Sequence, residues 1–324
     1  MHLKTFAGAA AALALSLSAA IAETLPKLTI AALEYGTVNW ELDTIRHAGL
    51  DAENGFDLEV MGVAGGPAGR IAFQGGAADV FVSDWLWVAR QRAAGKDYAF
   101  IPYSKAVGGV MVSAESTAES LADLQGDKIG IAGGPLDKSW LILQAYAAQE
   151  HGMDLAAQTE QVFGAPPLIY KTALQGQTAG AINFWHFMAK MRAEGMRTLI
   201  DTATAAEALG LDPDTPLLGY VVRGEMLADR PDLVQGLVAA SRGAKDLLAG
   251  DDAAWDRLRP MMRAETDAQF EALKAGFRAG IPAPGPVDEA AADRMLRLMA
   301  ELGGAELLGQ AEALPEGVFV RPGS

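Results

Sequence analysis

Short apolar runs alternate with segments of helical periodicity through the first part of the chain. The runs at 27–32, 56–63, 80–82 and 98–103 are rich in strand-forming residues, which predicts four strands. Between the first two runs, apolar residues recur at helical spacing, and Asn39 is predicted as the N-cap of that helix. This alternation predicts a mostly parallel sheet with helices on both faces.

The alternation then restarts and is followed by a helical tail. Further strands are predicted at 107–112, 127–132, 160–163, 179–183, 197–200 and 217–222, and helices at 138–151 and 168–175. Helical periodicity dominates the rest, at 231–248, 253–262, 267–279 and 287–302. Because about 300 residues exceed the usual size of one domain, we expect two lobes, with the strands at 107–112 and 217–222 crossing between them.

An internal echo also favours two similar lobes. Residues 71–85 are matched by residues 172–186 at an offset of 101, which aligns Gln74-Gly75 with Gln175-Gly176 and Ala78 with Ala179. In each copy a helix end, a glycine turn and a short strand lead to polar and aromatic residues. We therefore predict that the two strand ends face a ligand from opposite lobes.

The N-terminus has the features of a secretory leader. Lys4 precedes the nearly apolar segment 9–20, and Ala20-Ile21-Ala22 forms an A-x-A cleavage site. The alternative is a membrane anchor, but the run is shorter than the roughly 20 residues that span a bilayer. We predict cleavage near Ala22 and export to the periplasm. The predicted organisation is a signal peptide at 1–22, the first part of lobe 1 at 23–106, lobe 2 with the crossing strands at 107–222, and a helical C-terminal part at 223–324 that packs back on lobe 1.

Charge and cysteine content narrow the classes of function. The chain has 26 Lys and Arg against 41 Asp and Glu, and its formal net charge of −15 becomes −16 when Lys4 leaves with the leader. This balance argues against nucleic-acid binding, although it leaves a buried anion site open. The sequence has no cysteine, which excludes thiolate zinc sites and cysteine nucleophiles.

The candidate binding residues lie beyond the carboxyl ends of predicted strands, where helix N-termini point inward. They are Tyr35, Gly36, Asn39, Trp40, Ser83, Asp84, Trp85, Gly133, Gly134, Lys138, Ser139, Trp140, Asn183, Trp185 and His186. Four of them are tryptophans, one in each of four equivalent places. Core packing is the commoner fate of any single tryptophan, but the repeated position favours a pocket that stacks on something flat or apolar.

Two places carry charge. Lys138 and Ser139 begin a predicted helix, where the helix dipole favours an anion; the alternative is that Asp137 caps the helix and Lys138 points to water. Asp84 either caps the helix that follows it or faces the ligand, which would then carry a donor or a cation. Together the two places would suit a ligand with an amine-like and an acid-like end.

Motifs for catalysis are scarce. Outside the leader the histidines are His47, His151 and His186, with no close pair and no His-Glu-x-x-His helix to hold a metal. A G-x-S-x-G nucleophile elbow and a dinucleotide-binding glycine motif after a strand are also missing from the sequence. We therefore expect neither an enzyme nor a cofactor, with an exported enzyme that uses His186 and Asp84, or a ligand sensor, as alternatives.

Four segments carry a recognisable pattern: the turn at 74–80, the segment 121–132, the second turn at 174–181 and the strand at 220–223. In these segments the chain resembles the periplasmic solute-binding proteins of the nitrate/sulfonate/taurine and pyrimidine-precursor type, which serve ABC importers. The resemblance implies a type II, Venus-flytrap fold of two α/β lobes, a permease and an ATPase as partners, a monomer, and capture of ligand by closure about a hinge.

Departures from the family pattern limit what the resemblance implies about ligand. Gly180 stands where such proteins usually carry an Asp equivalent to Asp79, and the Gly133-Gly134-Pro135 loop replaces a Ser/Thr-containing one. A nitrate, taurine or alkanesulfonate assignment therefore does not carry over directly. Some proteins of this fold make a thiamine pyrimidine with a cysteine-rich iron motif, and the absence of cysteine counts against that activity. The expected ligand is a small, partly planar organic solute with an acidic group.

Overall fold

The computed structural model describes residues 24–321, so the predicted leader and its cleavage position lie outside the described residues. The strands are β1 (Lys27–Leu33), β2 (Asp57–Val63), β3 (Val80–Asp84), β4 (Tyr98–Ser104), β5 (Gly109–Val112), β6 (Lys128–Ala132), β7 (Glu160–Gly164), β8 (Gly180–Asn183), β9 (Arg197–Asp201) and β10 (Leu218–Arg223). The helices of the first half are α1 (Val38–Ala48), α2 (Leu50–Glu53), α3 (Gly66–Gln74), α4 (Trp85–Ala93), α5 (Lys138–His151), α6 (Pro166–Leu174) and α7 (Trp185–Ala193). Those of the second half are α8 (Thr202–Ala208), α9 (Gly224–Asp229), α10 (Pro231–Gly250), α11 (Ala253–Asp256), α12 (Arg259–Met262), α13 (Asp267–Ala279) and α14 (Glu289–Leu308).

Two five-stranded sheets form the two lobes. The first has the strand order β2-β1-β3-β10-β4 and the second has the order β7-β6-β8-β5-β9. In each sheet one antiparallel strand is inserted, β10 between β3 and β4 and β5 between β8 and β9, and the other pairings are parallel. The predicted two-lobe α/β fold with mostly parallel sheets is therefore confirmed, and the inserted strands mark where the chain passes from one sheet to the other.

Two local predictions are wrong for identifiable reasons. Asn39 is not the N-cap of the first helix, because Thr37 precedes that helix and Asn39 lies within it, where its amide donates to the Leu33 and Gly36 carbonyls at 2.7 and 2.9 Å. The segment 253–262 forms two short helices rather than one. Pro260 lacks the N–H that a continuous helix would need at that position.

The internal echo is real, but its structural offset is 100 rather than 101. α3 and α6 have nine residues each and begin at 66 and 166, and α4 and α7 begin at Trp85 and Trp185. The turns that precede the two strands both place a glycine in the left-handed region, Gly76 at φ 78° and Gly176 at φ 67°, a conformation that glycine adopts without steric strain. The structural counterpart of Asp79 is therefore Ala179, not Gly180.

The C-terminal part of the chain packs on elements of both sheets. α14 contacts α4 and α5, and its Met295 and Met299 belong to the same buried apolar cluster as Leu86 and Trp140. α13 packs against α7, and Gly276 allows this approach because a Cβ there would lie 2.7 Å from the Trp185 ring. The final segment pairs with the edge strand β4, where the Phe100 N–H donates to the Val318 carbonyl at 2.7 Å. No helix among residues 24–321 is long and apolar enough to cross a membrane.

Candidate ligand-binding cleft

A cleft of about 290 Å³ lies between the two sheets. Its floor is the first crossing segment, residues 106–108, and its walls are strand ends and helix N-termini of both lobes. The lining residues are Leu33, Gly36, Thr37, Val38, Val82, Asp84, Tyr103, Ala106, Val107, Gly108, Asp137, Lys138, Ser139, Phe184, Trp185, His186, Leu217 and Leu218. Most of this surface is apolar, with a few convergent polar groups, as is typical of small-molecule sites.

An ion pair bridges the two lobes inside the cleft. Asp84 ends β3 of the first sheet, and Lys138 is the first residue of α5, which follows β6 of the second sheet. Lys138 Nζ donates to Asp84 Oδ2 at 2.9 Å, while Asp84 Oδ1 accepts the backbone N–H of Trp87 at 2.9 Å. Asp84 therefore caps α4, as one of the two interpretations of the sequence held, and it also lines the cleft.

The environment of Asp84 favours its ionised form. Burial raises the pKa of the Asp84 carboxyl, but the Lys138 charge, the hydrogen bonds from Lys138 and Trp87, and the more distant Arg70 charge outweigh that effect and leave the pKa below its ordinary value. The Asp84 side chain is 13% exposed and that of Lys138 is 28% exposed. A solute that enters the cleft thus meets a charged pair that is only partly shielded from water.

Asp137 places a second carboxylate beside this pair. It caps α5 by accepting the Trp140 N–H at 3.1 Å. Burial raises the pKa of Asp137, and the nearby Asp84 charge acts in the same direction. The cap predicted at Asp137 is therefore present, but Lys138 points to Asp84 rather than to water. Because Asp137 occupies the start of α5, an anion would meet a carboxylate at that helix end.

The other two helices that begin at the cleft have no acidic cap. α1 begins after Thr37 and α7 begins after Phe184, and neither residue makes a capping hydrogen bond from its side chain. The backbone N–H groups of a first helical turn lack partners within the helix and carry the positive end of its dipole. The cleft thus has acidic caps on α4 and α5 and uncapped helix starts at α1 and α7.

Neutral aromatic and hydroxyl side chains complete the lining. Burial, with a smaller effect of the Lys190 charge, lowers the pKa of His186 to about 3, so its imidazole is neutral near pH 7. Burial and the Glu41 charge raise the pKa of Tyr103 well above its ordinary value, so its hydroxyl stays protonated. Tyr103 and Thr37 share a hydrogen bond of 3.3 Å between their hydroxyl oxygens.

A buried charged network lies behind Tyr103. Glu41 of α1 and Lys245 of α10 form an ion pair at 2.7 Å, with side chains 0% and 5% exposed. Tyr220 donates to Glu41 at 2.7 Å, and the Lys245 ammonium lies 5.2 Å from the centre of the Tyr103 ring. These contacts hold α1, β10 and α10 together. The network also contacts the Tyr103 ring directly, through the Lys245 ammonium and through the Tyr220 ring, whose centre lies 6.0 Å from that of Tyr103.

The four predicted tryptophans have different fates. Trp185 lines the cleft. Trp85 and Trp140 are 0% and 3% exposed and belong to the main apolar core, and Trp40 is 4% exposed in the core behind α1. These three tryptophans pack in the core, so the expectation of four tryptophans that stack on the ligand is wrong. The aromatic surface of the cleft comes instead from Tyr103, Phe184, Trp185 and His186.

The remaining predicted residues divide between the cleft and its support. Those that line the cleft are Gly36, Asp84, Lys138, Ser139, Trp185 and His186. Tyr35 does not line the cleft, and 40% of its surface is exposed. Asn183 is 1% exposed and shapes the strand end, because its amide donates to the Pro166 carbonyl at 3.0 Å and accepts from the Phe184 N–H at 2.9 Å. Ser83, Gly133 and Gly134 are likewise not among the lining residues, and Gly133 forms the turn into α5 with φ 100°.

Sequence reasoning missed several lining residues. Thr37 and Phe184 are single residues at element boundaries, next to predicted ones, and Tyr103 lies near the end of β4. Val107 and Gly108 belong to the first crossing, and Leu217 and Leu218 belong to the second. Because the sequence predicted that these runs cross between the lobes, that prediction could have indicated that they line the cleft. A second cavity of about 320 Å³ adjoins the cleft, since Trp185 and residues 106–108 line both cavities.

Together, the two sheets, their exchanged strands and the cleft between them define a periplasmic-binding-protein fold. The aliphatic sulphonate-binding protein SsuA of Escherichia coli has a similar structure, with 17% identity, a TM-score of 0.69, and coverage of 88% of this chain and 94% of that one. The alkanesulfonate-binding SsuA of Xanthomonas axonopodis pv. citri, bound to MOPS, has 19% identity and a TM-score of 0.69 over 93% of this chain and all of that one (100%). At this level of identity the likeness shows the fold alone.

The family follows from a match along the chain. The model of the NMT1/THI5-like family matches residues 45–254, and the chain belongs to this family. The resemblance to the nitrate/sulfonate/taurine and pyrimidine-precursor binding proteins is therefore confirmed for family and fold. No curated protein matches the sequence. One similar structure is that of an enzyme with a related fold, a DszB mutant in complex with biphenyl-2-sulfinic acid, at 18% identity and a TM-score of 0.56 over 90% of this chain and 97% of that one.

Proposed function

We propose that the protein is the solute-binding component of an ABC importer, which captures a small organic solute in the cleft between its lobes. The observation that supports this most directly is that polar groups from both sheets converge on one cavity, with Asp84 from one lobe and Lys138 from the other only 2.9 Å apart. A molecule bound there would contact both lobes. It would therefore stabilise the closed arrangement over an open one.

The cleft favours a solute with an acidic group and a flat or apolar part. Lys138 and Ser139 supply a cation and a hydroxyl, and the uncapped start of α7 supplies backbone N–H groups. The Phe184 and Trp185 rings supply an apolar surface. A volume of about 290 Å³ suits a molecule at the lower end of the size range of ligands.

Delivery to a membrane permease completes the proposed role. A periplasmic sulfonate-binding protein has a similar fold, and the predicted leader would bring this chain to the same compartment. Closure about the two crossing segments, near residues 105–108 and 209–217, would present a ligand-dependent surface to the permease. We propose that the protein acts there as a monomer.

Native mass spectrometry of the protein purified from its own periplasm tests this proposal. We expect a co-purifying solute whose mass disappears after mild denaturation and refolding, and a rise in melting temperature when the solute is added back. A protein that is empty, and that is not stabilised by sulfonates, carboxylates, nitrate or heterocycles, would contradict it. Trp185→Ala should weaken binding, whereas Trp255→Phe, a change in the core behind α1, serves as the matched control.

An exported enzyme is the less favoured function. The pair that the sequence suggested for catalysis, His186 and Asp84, shares no hydrogen bond in the described part of the chain, residues 24–321, where the Asp84 carboxylate accepts from Trp87 and Lys138. A histidine whose pKa lies near 3 is also a weak base. Recovery of the bound compound chemically unchanged would support the transport role.

A further inference from the structure

We infer that Asp84 determines the specificity of the cleft by binding a cationic group of the solute, which replaces Lys138 on the carboxylate and leaves Lys138 to bind the acid group of the same solute. The preferred ligand would then be a small zwitterion. This inference rests on the proposed solute-binding function. It goes beyond that function by assigning the two ends of the ligand to two lobes.

The geometry of Asp84 leaves one oxygen for such an exchange. Oδ1 is held by the Trp87 N–H as the cap of α4, so it is fixed whether or not a ligand is present. Oδ2 has Lys138 as its partner. The lysine reaches it on a flexible stem from the first residue of α5, with 28% of its side chain exposed, so it can move without disturbing the helix.

The charge of the cleft favours the entry of a cation. Asp84 and Asp137 both line it, against the single lysine, and His186 and Tyr103 are neutral near pH 7. Arg70 acts on Asp84 from α3 but is not among the residues that line the cleft. The side chains that face the ligand therefore carry one more negative than positive charge, a surplus that a ligand ammonium would neutralise.

A simple anion fits this arrangement poorly. To bind Lys138 it would have to draw the ammonium away from Asp84, which would leave a mostly buried carboxylate without a cation. A zwitterion avoids this because every charge keeps a partner: its ammonium replaces Lys138 at Oδ2, and its acid group meets the released lysine. The complex then has two ion pairs, one to Asp84 of the first lobe and one to Lys138 of the second, so the ligand connects the two lobes.

The test compares matched sets of probes by thermal shift and calorimetry. One set is 3-aminopropane-1-sulfonate, propane-1-sulfonate and propylamine; another is 4-(aminomethyl)benzoate, 4-methylbenzoate and 4-methylbenzylamine. In at least one set we expect the zwitterion to bind at least about tenfold more tightly than either singly charged analogue, the size of effect that one charge-assisted hydrogen bond gives. The compound that co-purifies with the native protein should carry a cationic nitrogen.

Asp84→Asn provides the decisive variant because asparagine keeps the helix cap but removes the charge. It should remove the advantage of the zwitterion and leave the binding of the anion equal or stronger. Asp288→Asn is the matched control, since Asp288 caps α14 through the Ala290 and Ala291 N–H groups and is not among the residues that line the cleft. The control should leave all affinities unchanged.

The outcomes separate this inference from the function on which it rests. A co-purifying solute without a cationic group, an anion that binds as tightly as its zwitterion, or an unchanged zwitterion affinity in Asp84→Asn would overturn the role of Asp84 while leaving solute binding intact. A protein that binds no compound of any class would overturn the proposed function, and the inference with it.

Discussion

The end of β3 and the end of β8 hold the same place in the two lobes, yet the residues at these two positions have different roles. At the structural offset of 100, Asp84 corresponds to Phe184 and Trp85 to Trp185. Asp84 caps its helix and binds Lys138, whereas Phe184 makes no side-chain cap and presents an aromatic ring to the cleft. Trp85 is fully buried, whereas Trp185 lines the cleft.

The difference between the tryptophans arises from what the rest of the chain places over them. The C-terminal segment pairs with β4 and places the centre of the Phe319 ring 5.7 Å from the centre of the Trp85 ring. Phe319 thus covers Trp85 in the first lobe. Trp185 has α13 and Trp40 of the first lobe on one side and the cleft on the other. Equivalent positions in a repeated unit therefore have different roles because the contacts that complete them are not repeated.

Truncation of the two tryptophans tests this comparison with the largest expected effect. Trp85→Ala should lower the free energy of unfolding by about 3–5 kcal/mol, because it leaves a large cavity in a closed core. Trp185→Ala should lower it by only about 1–2 kcal/mol, since its ring borders open space. Urea unfolding followed by circular dichroism measures both, and equal losses would show that the two rings are packed alike.

Removal of the Asp84 charge probes the unequal caps. Asp84→Ala should lower the free energy of unfolding by about 2 kcal/mol, through loss of the cap and of the partner of Lys138. Phe184→Ala has no cap to lose, so the loss of stability that it causes comes from the packing of its ring against the buried cluster that includes Met111 and Ile169. Because the pKa of Asp84 is lowered in the folded state, its contribution is present above the ordinary carboxyl pKa, near 4, and fades as the pH falls below it. Asp84→Asn removes the charge but keeps the cap, so its loss of unfolding free energy should shrink as the pH falls below about 4. A loss that grows in acid would contradict the role of the Asp84 charge.

Local signals predicted much of the fold but little of the cleft. α5 and α13 have the predicted bounds, because Asp137 and Gly152 mark the ends of one and Thr266 caps the other. The inserted strands were also expected as crossings. The contact of Lys138 with Asp84, and that of Phe319 with Trp85, join residues far apart in sequence, and no spacing rule indicates them. The misjudged offset of the echo has a different origin, since the identities at Gln74, Gly75 and Ala78 suggested 101 whereas the turns and helices follow 100.

The pH dependence of His186 gives a third contrast, since its counterpart at the offset of 100 is the buried, uncharged Leu86. Burial lowers the pKa of His186 to about 3, so the unfolded chain binds a proton below about pH 6.5 that the folded protein does not. The free energy of unfolding is therefore unaffected by His186 above pH 6.5, and it decreases as the pH falls from 6.5 towards 3. The loss should be at most about 1.4 kcal/mol per pH unit, and smaller because the ring is only half-buried. His186→Gln should flatten this slope between pH 6.5 and 4, and an unchanged slope would assign it to other groups.

The smallest expected effect comes from giving the second lobe the cap that it lacks. Phe184→Asn should stabilise the start of α7 by about 0.5–1 kcal/mol through a side-chain bond to a first-turn N–H, less whatever is lost with the aromatic ring. Phe184→Asp should cap equally well but adds a third carboxylate to the cleft beside Asp84 and Asp137. Comparison of the two variants isolates that charge. If the acidic surplus of the cleft selects cations, Phe184→Asp binds 4-methylbenzylamine more tightly than Phe184→Asn does and 4-methylbenzoate less tightly. Equal affinities would show that charge at the end of β8 does not reach the ligand, and that the two strand ends differ in packing alone.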